Sequence, residues 1–189
     1  MSSPSLYHQT DSRIQSELQI IQKSKSNPNH FAPLYKQYHE SIFRYIVKRV
    51  DDNESAYDIT SNVFVKALTN LNRYEFRGVP FSSWLFRIAK SELYQSFRDK
   101  KARRTVSIDK VIVTDIFEQM EEPEGEERKE LLMQALRQIN ENDLILIELR
   151  YFEKRSYREI GEILDVTENN AKVKTFRALQ RLKKVYRKK

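Results

Sequence analysis

The sequence predicts an all-α protein of two small helical domains joined by an acidic linker, with a helix-turn-helix in the second domain. Apolar residues recur three and four positions apart along most of the chain, a spacing typical of amphipathic helices. The chain has only 3 Gly and 5 Pro among 189 residues, fewer turn residues than sheets normally need. Its net charge is +7 overall but −6 between residues 105 and 128, so an acidic segment separates two basic parts.

Three amphipathic helices are predicted in the first domain, residues 1–104, after a polar terminus of about twelve residues. The first helix stops at the run SNPN, residues 26–29. The second covers residues 31–50 and tolerates Pro33 in its first turn, and the third covers residues 54–71. Because each helix has one apolar face, the three can share a core.

Residues 72–83, NRYEFRGVPFSS, interrupt the helical period and yet keep three aromatic rings. These rings either cover the core beneath them or stack on unpaired bases, a use suited to rings that lie beside cations. The helix that follows begins at Trp84 and turns basic, with seven basic residues against two acidic ones between Arg87 and Arg104. An aromatic loop followed by a cationic helix favours contact with nucleic acid.

The segment 105–128 is a linker by composition, with eight acidic residues against two basic ones and both Pro123 and Gly125 in the acidic run. Its first half is apolar enough to dock on another surface. The second domain, residues 129–189, starts with a helix rich in Leu, and Asn140 opens the next helix.

A helix, a tight turn and a second helix are predicted in residues 156–182, SYREIGEILDVTENNAKVKTFRALQRL. In the first helix one face is apolar, Gly161 permits a close backbone approach, and Arg158, Glu159 and Glu162 are predicted to face water. Thr167 is suited to cap the second helix. The second helix buries Ala171, Ala178, Leu179 and Leu182.

The opposite face of the second helix carries Asn169, Asn170, Lys172, Lys174, Thr175 and Arg177, and nine positive charges fall in the last eighteen residues. Amide, hydroxyl and cationic groups are those that read base edges and bind phosphates in a major groove. The alternative is a solvated basic helix in an ordinary bundle. A run of positive charges beside a helix-turn-helix favours DNA binding.

The sequence contains no motif typical of catalysis or metal binding. The chain has no Cys, no glycine-rich phosphate loop and no nucleophile motif, and its three His residues lack ligand spacing. We therefore expect no enzymatic activity, no metal and no cofactor. The start lacks a secretory signal and no apolar run is long enough to span a membrane, so a cytoplasmic protein without membrane insertion is expected.

Two blocks of sequence carry a resemblance to a known family. The first contains FAPLYKQYHESIFRYIVKRV, DITSNVFVKAL and FSSWLFRIAKSELYQSFRDKKARR, and the second is LLMQALRQINENDLILIELRYFEKRSYREIGEILDVTENNAKVKTFRAL. Together they resemble the extracytoplasmic-function (ECF) group of the sigma-70 family, the bacterial RNA polymerase sigma factors. The resemblance implies that residues 1–104 bind core polymerase and recognise and melt the minus-10 element, that residues 105–128 thread the polymerase cleft, and that residues 129–189 read the minus-35 element.

The resemblance also implies roles for individual residues. Those expected to bind the coiled coil of the largest polymerase subunit are Asp58, Ile59, Asn62, Val63 and Phe64. Those expected at the minus-10 element are Tyr74, Phe76, Arg77, Phe81, Trp84, Lys90, Ser91 and Arg98. Those expected at the minus-35 element are Thr167, Glu168, Asn169, Asn170, Lys172, Lys174 and Arg177. The implied partners are core polymerase, including its flap region, promoter DNA as duplex and as melted strand, and an anti-sigma factor.

The sequence departs from the family pattern at several positions. Ser61 and Asn62 replace Gln and Glu, Ser91 and Gln95 replace Asn and Asp, Ile139 and Asn140 replace Leu and Pro, and Asp165 replaces the Gly of the turn. Two alternatives remain at this stage. A stand-alone helix-turn-helix regulator explains the second domain equally well but gives the first domain no role, and an anti-sigma or scaffold protein predicts no DNA affinity.

Overall fold

The computed structural model describes residues 11–99, 105, 110–122 and 125–188. The chain divides into two compact units, Met1–Thr105 and Val106–Lys189. Every regular element in the described part of the chain is a helix, which confirms the all-α prediction. Nothing in these residues forms a helix with the length and apolar character that a membrane crossing requires.

In its described residues, the first unit contains four α-helices whose ends follow local sequence signals. Asn27 stops the first helix region by accepting from the N–H of Asn29, and Asp52 caps the third helix by accepting from the N–H of Ser55. That hydrogen bond also lowers the pKa of Asp52. The helices are α1 (Asp11–Ser26), α2 (Ala32–Val47), α3 (Asn53–Thr69) and α4 (Phe81–Arg98), with short 3₁₀ turns at Pro28–Phe31 and Leu71–Arg73.

The core of the first unit lies between α2, α3 and α4. Buried aliphatic and aromatic side chains from all three helices meet there. The sequence predicted a core shared by the first three helices, and the structure shows that α4 also contributes to it. The α4 helix starts at Phe81 and not at Trp84, because Pro80 sits at its N-cap position and needs no N–H partner. The fully buried large side chains include Leu34, Ile42, Tyr45, Ile46, Leu85 and Phe86.

The second unit contains the remaining helices. They are α5 (Lys110–Met120), α6 (Glu126–Gln138), α7 (Glu141–Ile147) continued by a π-helical turn at Glu148–Phe152, α8 (Tyr157–Leu164) and α9 (Glu168–Tyr186). Asn140 caps α7 by accepting from the N–H of Asp143 at 2.9 Å. The α9 helix packs against α6, α7 and α8 and is the central element of this unit.

The acidic segment contributes a helix to the second unit. Four apolar residues of α5 are buried at helical spacing, and the ring of Phe117 contacts that of Tyr186 at 5.8 Å between centroids. The α5 helix therefore packs on the π-helical turn and on α9. The four buried residues are Val113, Ile116, Phe117 and Met120.

Several predictions fall on residues that the structure does not describe. These are the polar terminus at residues 1–10, the basic Lys100, Lys101, Arg103 and Arg104, and the apolar Val106 and Ile108.

Candidate nucleic-acid interface

The helix-turn-helix begins with a capping box at the start of α8. The Ser156 hydroxyl accepts from the N–H of Glu159 at 3.2 Å, and the Glu159 carboxylate accepts from the N–H of Ser156 at 2.9 Å. Glu159 also pairs with Arg155 at 3.0 Å, and both side chains are buried. The prediction that Glu159 faces water is therefore wrong, because the helix start satisfies its carboxylate internally.

The turn between α8 and α9 is tight because two residues suit it. Asp165 adopts the left-handed conformation with φ 59° and ψ 48°, the geometry for which the family pattern has Gly. Gly161 leaves space for the returning backbone, since a Cβ there would lie 2.7 Å from the carbonyl oxygen of Val166. The close approach predicted at Gly161 is therefore made by the turn itself.

The α9 helix starts at a Thr cap and presents a polar face from its first turn. The Thr167 hydroxyl accepts from the N–H of Asn170 at 3.2 Å, as predicted. Thr175 is buried and its hydroxyl donates to the carbonyl of Ala171 at 2.8 Å, so its predicted place on the exposed face is wrong. The predicted minus-35 residues lie together on the exposed surface, namely Thr167, Glu168, Asn169, Asn170, Lys172, Lys174 and Arg177.

The cations of α9 fall into two groups. Toward the C-terminal end, Arg181 donates to the buried carboxylate of Asp143 through two bonds of 2.5 Å, which raise the pKa of the guanidinium. Arg187 bonds Glu122 at 2.6 Å, and Lys183 lies 3.7 Å from Glu121. Toward the N-terminal end, Lys172, Lys174 and Arg177 are exposed and make no ion pair with any residue that the structure describes.

Two apolar residues on the exposed face of α9 were missed by the sequence reasoning. Phe176 is 61% exposed and Val173 is 38% exposed, and both lie among the cations and amides of that face. Their spacing could have revealed them, because neither falls on the buried stripe of Ala171, Ala178 and Leu182. An exposed ring beside Arg177 is suited to contact a thymine methyl group.

In the first unit, the aromatic loop divides into buried and exposed rings. Phe81 is 1% exposed and its ring lies 5.1 Å from that of Tyr74 and 5.4 Å from that of Trp84. Tyr74 is also buried, and Trp84 is half-buried. Phe76, in contrast, is 43% exposed at the tip of the loop, next to the exposed Arg77. Tyr74 and Phe81 thus cover the core beneath them, whereas stacking of the exposed Phe76 on an unpaired base stays a prediction.

The α4 helix carries the other predicted minus-10 residues. Lys90 is half-buried, whereas Ser91 and Arg98 are exposed. The Arg98 guanidinium donates to the side-chain oxygen of Gln95 at 2.6 Å. The Gln95 amide in turn donates to the Asp99 carboxylate at 2.8 Å. The exposed polar side of α4 is therefore ordered by a short chain of side-chain hydrogen bonds.

The predicted polymerase-binding residues of α3 lie on opposite sides of the helix. Ile59, Val63 and Phe64 are buried in the first unit, and their predicted contact with polymerase stays a prediction. Asp58 and Asn62 are exposed. The sequence reasoning missed three exposed apolar residues of α3, which are Tyr57, Val65 and Leu68. A groove of about 530 Å³ continues from Val65 and Leu68 toward Tyr35 on α2.

Within the described residues, no group of three or more His, Cys, Asp or Glu side chains is arranged to hold a metal ion. Burial lowers the pKa of Lys154, which nevertheless pairs with Asp115 of α5.

A helix-turn-helix with an unpaired cationic face, together with a helical unit that exposes an aromatic loop, defines a two-unit DNA-binding protein. Comparisons with known proteins identify the family to which it belongs. The family model for Sigma-70 region 2 matches residues 34–103, and that for Sigma-70, region 4 matches residues 129–182. RNA polymerase sigma factor YlaC of Bacillus subtilis is 32% identical over 155 residues, which cover 80% of this chain and 88% of the relative.

Further relatives carry the same description. ECF RNA polymerase sigma factor SigM of Bacillus subtilis is 27% identical over 81% of this chain and 93% of the relative. ECF RNA polymerase sigma factor BldN of Streptomyces coelicolor is 26% identical over 87% of this chain, and the match spans 64% of BldN's own length. This chain belongs to the sigma-70 family of RNA polymerase sigma factors, in its ECF group. Sigma factors are regulatory proteins that bind core polymerase and direct it to promoters.

Solved structures show the same fold. CnrH, in complex with the cytosolic domain of CnrY, has a TM-score of 0.59 at 18% identity, covering 86% of this chain and 91% of that one. RpoE of Bartonella quintana, in complex with the anti-sigma factor NepR, has a TM-score of 0.56 at 18% identity, covering 83% and 96%.

Proposed function

We propose that this chain binds core RNA polymerase and directs promoter-specific initiation, reading the minus-35 element with its second unit and holding the melted minus-10 strand with its first. The observation that carries the proposal is the exposed face of α9, whose three cations have no acidic partner in the described structure. Strand opening then needs no catalysis by this chain. A captured base and a bound single strand shift the equilibrium from closed to open DNA by differential binding.

At the minus-35 element, the first turns of α9 would enter the major groove. Asn169 and Asn170 offer the amide pair that suits adenine, and Glu168 can accept from cytosine. Lys172, Lys174 and Arg177 are placed one turn further along, where they would meet phosphates or guanine. Thr167 fixes the start of the helix through its cap.

At the minus-10 element, Phe76 is the ring placed to meet an unpaired base, because 43% of it is exposed, and the exposed Arg77 lies next to it in the loop. Tyr74, Phe81 and Trp84 support the loop from beneath through ring contacts. The strand would continue along the exposed side of α4, past Lys90, Ser91 and Arg98.

For polymerase binding, we assign the outward side of α3. Asp58 and Asn62 supply polar contacts there, and Val65 and Leu68 supply exposed apolar area. Ile59, Val63 and Phe64 act from below, because they fix the helix on the core. The partner proposed for this surface is the coiled coil of the largest polymerase subunit, and the flap region is proposed for the second unit.

The same proposal extends to location and control. We place the protein in the cytoplasm, where core polymerase acts, and give it no catalytic activity of its own. Because RpoE, a protein of this fold, is solved in complex with the anti-sigma factor NepR, we also include an anti-sigma factor among the partners. Residues 105–128 are proposed to thread the polymerase cleft when the chain is bound.

Reconstitution of the full chain with core polymerase tests the proposal. We expect co-elution, and promoter-specific transcripts from DNA that the holoenzyme selects out of a random pool. A variant with both Lys172→Ala and Arg177→Ala should still co-elute but should lose selection of the upstream element. A chain that binds duplex DNA alone, without co-elution or specific transcripts, would instead be a stand-alone regulator.

A further inference from the structure

We propose that α1 is a clasp that holds the aromatic loop ready for the melted strand, with Glu17 and Lys25 as its positioning residues. This inference rests on the proposed role of the loop at the minus-10 element. The α1 helix lies before residues 34–103, the part that the region 2 model matches. Two of its polar side chains, those of Lys25 and Glu17, nevertheless reach the beginning and the end of the loop.

Lys25 attaches the beginning of the loop. Its ammonium group donates to the backbone carbonyl oxygen of Tyr74 at 2.9 Å, across 49 positions of sequence. Tyr74 directly follows the 3₁₀ turn at Leu71–Arg73, so this bond fixes the point where the chain leaves regular structure. A hydrogen bond from a charged donor is among the stronger ones in proteins.

Glu17 attaches the end of the loop. Its side chain is buried, with 4% of the residue exposed, and one carboxylate oxygen accepts from the N–H of Phe81 at 3.3 Å. Phe81 is the first residue of α4, whose free N–H groups favour a negative charge. The other oxygen accepts from the Gln37 amide at 2.7 Å and from the Tyr38 hydroxyl. One carboxylate thus joins α1, α2 and α4.

The two attachments enclose the exposed part of the loop. Between Tyr74 and Phe81 lie six residues, and among them Phe76 and Arg77 are exposed. Beneath them, Phe81 contacts the rings of Phe31 and Tyr38 at 6.4 and 6.2 Å between centroids. The loop ends are therefore anchored twice, by hydrogen bonds from α1 and by rings of the core, while its tip stays available.

Anchoring the ends of the loop affects how strongly the loop binds an unpaired base. A loop that must be ordered when a base binds loses part of its binding free energy to that ordering, whereas a loop held in place beforehand does not. Loosening the clasp should therefore weaken capture of an unpaired base. It should leave the duplex reader and the polymerase surface unchanged, since neither contains a residue of α1.

The test compares Lys25→Met with Lys23→Met in reconstituted holoenzyme. Both changes remove one positive charge from the last turn of α1, but the Lys23 side chain is exposed and makes no hydrogen bond or ion pair with any residue that the structure describes. Open-complex formation is measured by permanganate reactivity of unpaired thymines, on duplex promoters and on templates with a premelted minus-10 bubble. We expect opening of duplex promoters to fall roughly tenfold for Lys25→Met, the scale of one lost charged hydrogen bond.

On the premelted template, Lys25→Met should open normally but discriminate less well between bases in the minus-10 element. Lys23→Met should match the wild type in both measurements. Equal opening and equal discrimination by the two variants would overturn the clasp. Reduced core binding by Lys25→Met would point to a general structural defect and would also overturn it. If the wild-type holoenzyme itself opens no promoter, the proposed function fails instead.

Glu17 supplies an independent variant pair. Glu17→Ala leaves the N–H of Phe81 and the Tyr38 hydroxyl without their acceptor, while Glu17→Gln keeps an amide oxygen that can accept from Phe81. We expect base discrimination to fall for Glu17→Ala and to be largely restored in Glu17→Gln, at equal core binding. Wild-type discrimination in a folded Glu17→Ala variant would contradict the clasp.

Discussion

At the scale of single residues, the partners of a cation on α9 decide whether it can serve DNA. Arg181 is exposed along half of its side chain, yet both of its bonds go to Asp143 of α7. Lys172 and Arg177 carry the same charge and have no such partner among the described residues. The partner of each cation, and not its charge alone, therefore separates a structural residue such as Arg181 from residues available to phosphate such as Lys172 and Arg177.

This separation predicts different salt dependences for two alanine variants. Lys172→Ala should reduce the slope of log K against log salt by about 0.9 for binding to a minus-35 duplex, because each phosphate contact releases counterions. Arg181→Ala should leave the slope unchanged and instead lower the stability of the second unit by about 1–3 kcal/mol, since the buried Asp143 loses its cationic partner and keeps the Asn140 amide as a donor. Binding isotherms at four salt concentrations and thermal unfolding measure the two effects. An equal change of slope in both variants would contradict the separation.

The exposed ring of α9 leads to a second prediction. Phe176→Ala should weaken discrimination between thymine and other bases at one minus-35 position, because an apolar side chain reads the thymine methyl group. The salt slope should stay at the wild-type value, since no charge is lost. Holoenzyme binding to a series of single-base minus-35 variants provides the measurement, and uniform weakening across all bases would count against this role for the ring.

Residue type alone did not reveal which polar side chains are buried. Glu159 is polar in the sequence pattern, but the capping box and Arg155 satisfy its carboxylate inside the unit. Thr175 satisfies its hydroxyl on its own helix. Because such partners come from geometry, a periodicity argument predicts helices and apolar stripes well and fails for polar residues with local partners.

At the scale of elements, α5 shows how composition and packing can differ. Its acidic residues suggested a linker, and its buried stripe packs on α9 and on the π-helical turn. The acidic side chains Asp115, Glu121 and Glu122 all face cations of the same unit. The sequence showed the apolar residues but could not show their partner, because the surface they cover is assembled from distant parts of the chain.

Packing of α5 should depend on its stripe far more than on its charges. Phe117→Ala removes a fully buried ring, and changes of this kind cost about 3–5 kcal/mol where the structure stays in place. We expect the α5 amides to lose protection from hydrogen exchange while those of α8 keep it. Asp115→Asn removes one half of a half-exposed ion pair and should cost less than about 1 kcal/mol. Equal effects of the two variants would contradict a role for the stripe.

Gly161 lies against the turn of the helix-turn-helix, and Gly125, at the N-cap of α6, is a matched control. Gly161→Ala should destabilise the second unit although Ala favours helices by about 1 kcal/mol, because its Cβ would lie 2.7 Å from the Val166 carbonyl oxygen. Gly125→Ala adds a Cβ in ordinary contact with Arg128 at 3.9 Å and should be nearly neutral. Denaturant unfolding and minus-35 binding measure both variants. A stable, DNA-binding Gly161→Ala protein would show that the turn can relax.

At the scale of the whole molecule, the sequence carried more of the fold than of the site. Periodicity and caps located most helices, as at Asn27, Asp52 and Thr167, because those signals are local. The surface of α3 was harder to predict. Resemblance pointed to this helix, but buried Val63 and exposed Val65 differ only in the face that the core covers, which emerges once all of α2, α3 and α4 are packed.

The division into two units predicts that polymerase binding and duplex reading can be lost separately. Val65 is 59% exposed on α3, so Val65→Asp should fold normally while placing an unpaired charge in the proposed polymerase contact. We expect core affinity to fall tenfold or more, about 1.4 kcal/mol, with wild-type binding of the chain to a minus-35 duplex at low salt. Lys172→Ala should give the reverse pattern, because the duplex reader lies in the other unit. Co-elution with core polymerase and duplex binding, measured on both variants, test this exchange of phenotypes. If Val65→Asp kept full core affinity, the polymerase contact would have to lie on another face of the first unit.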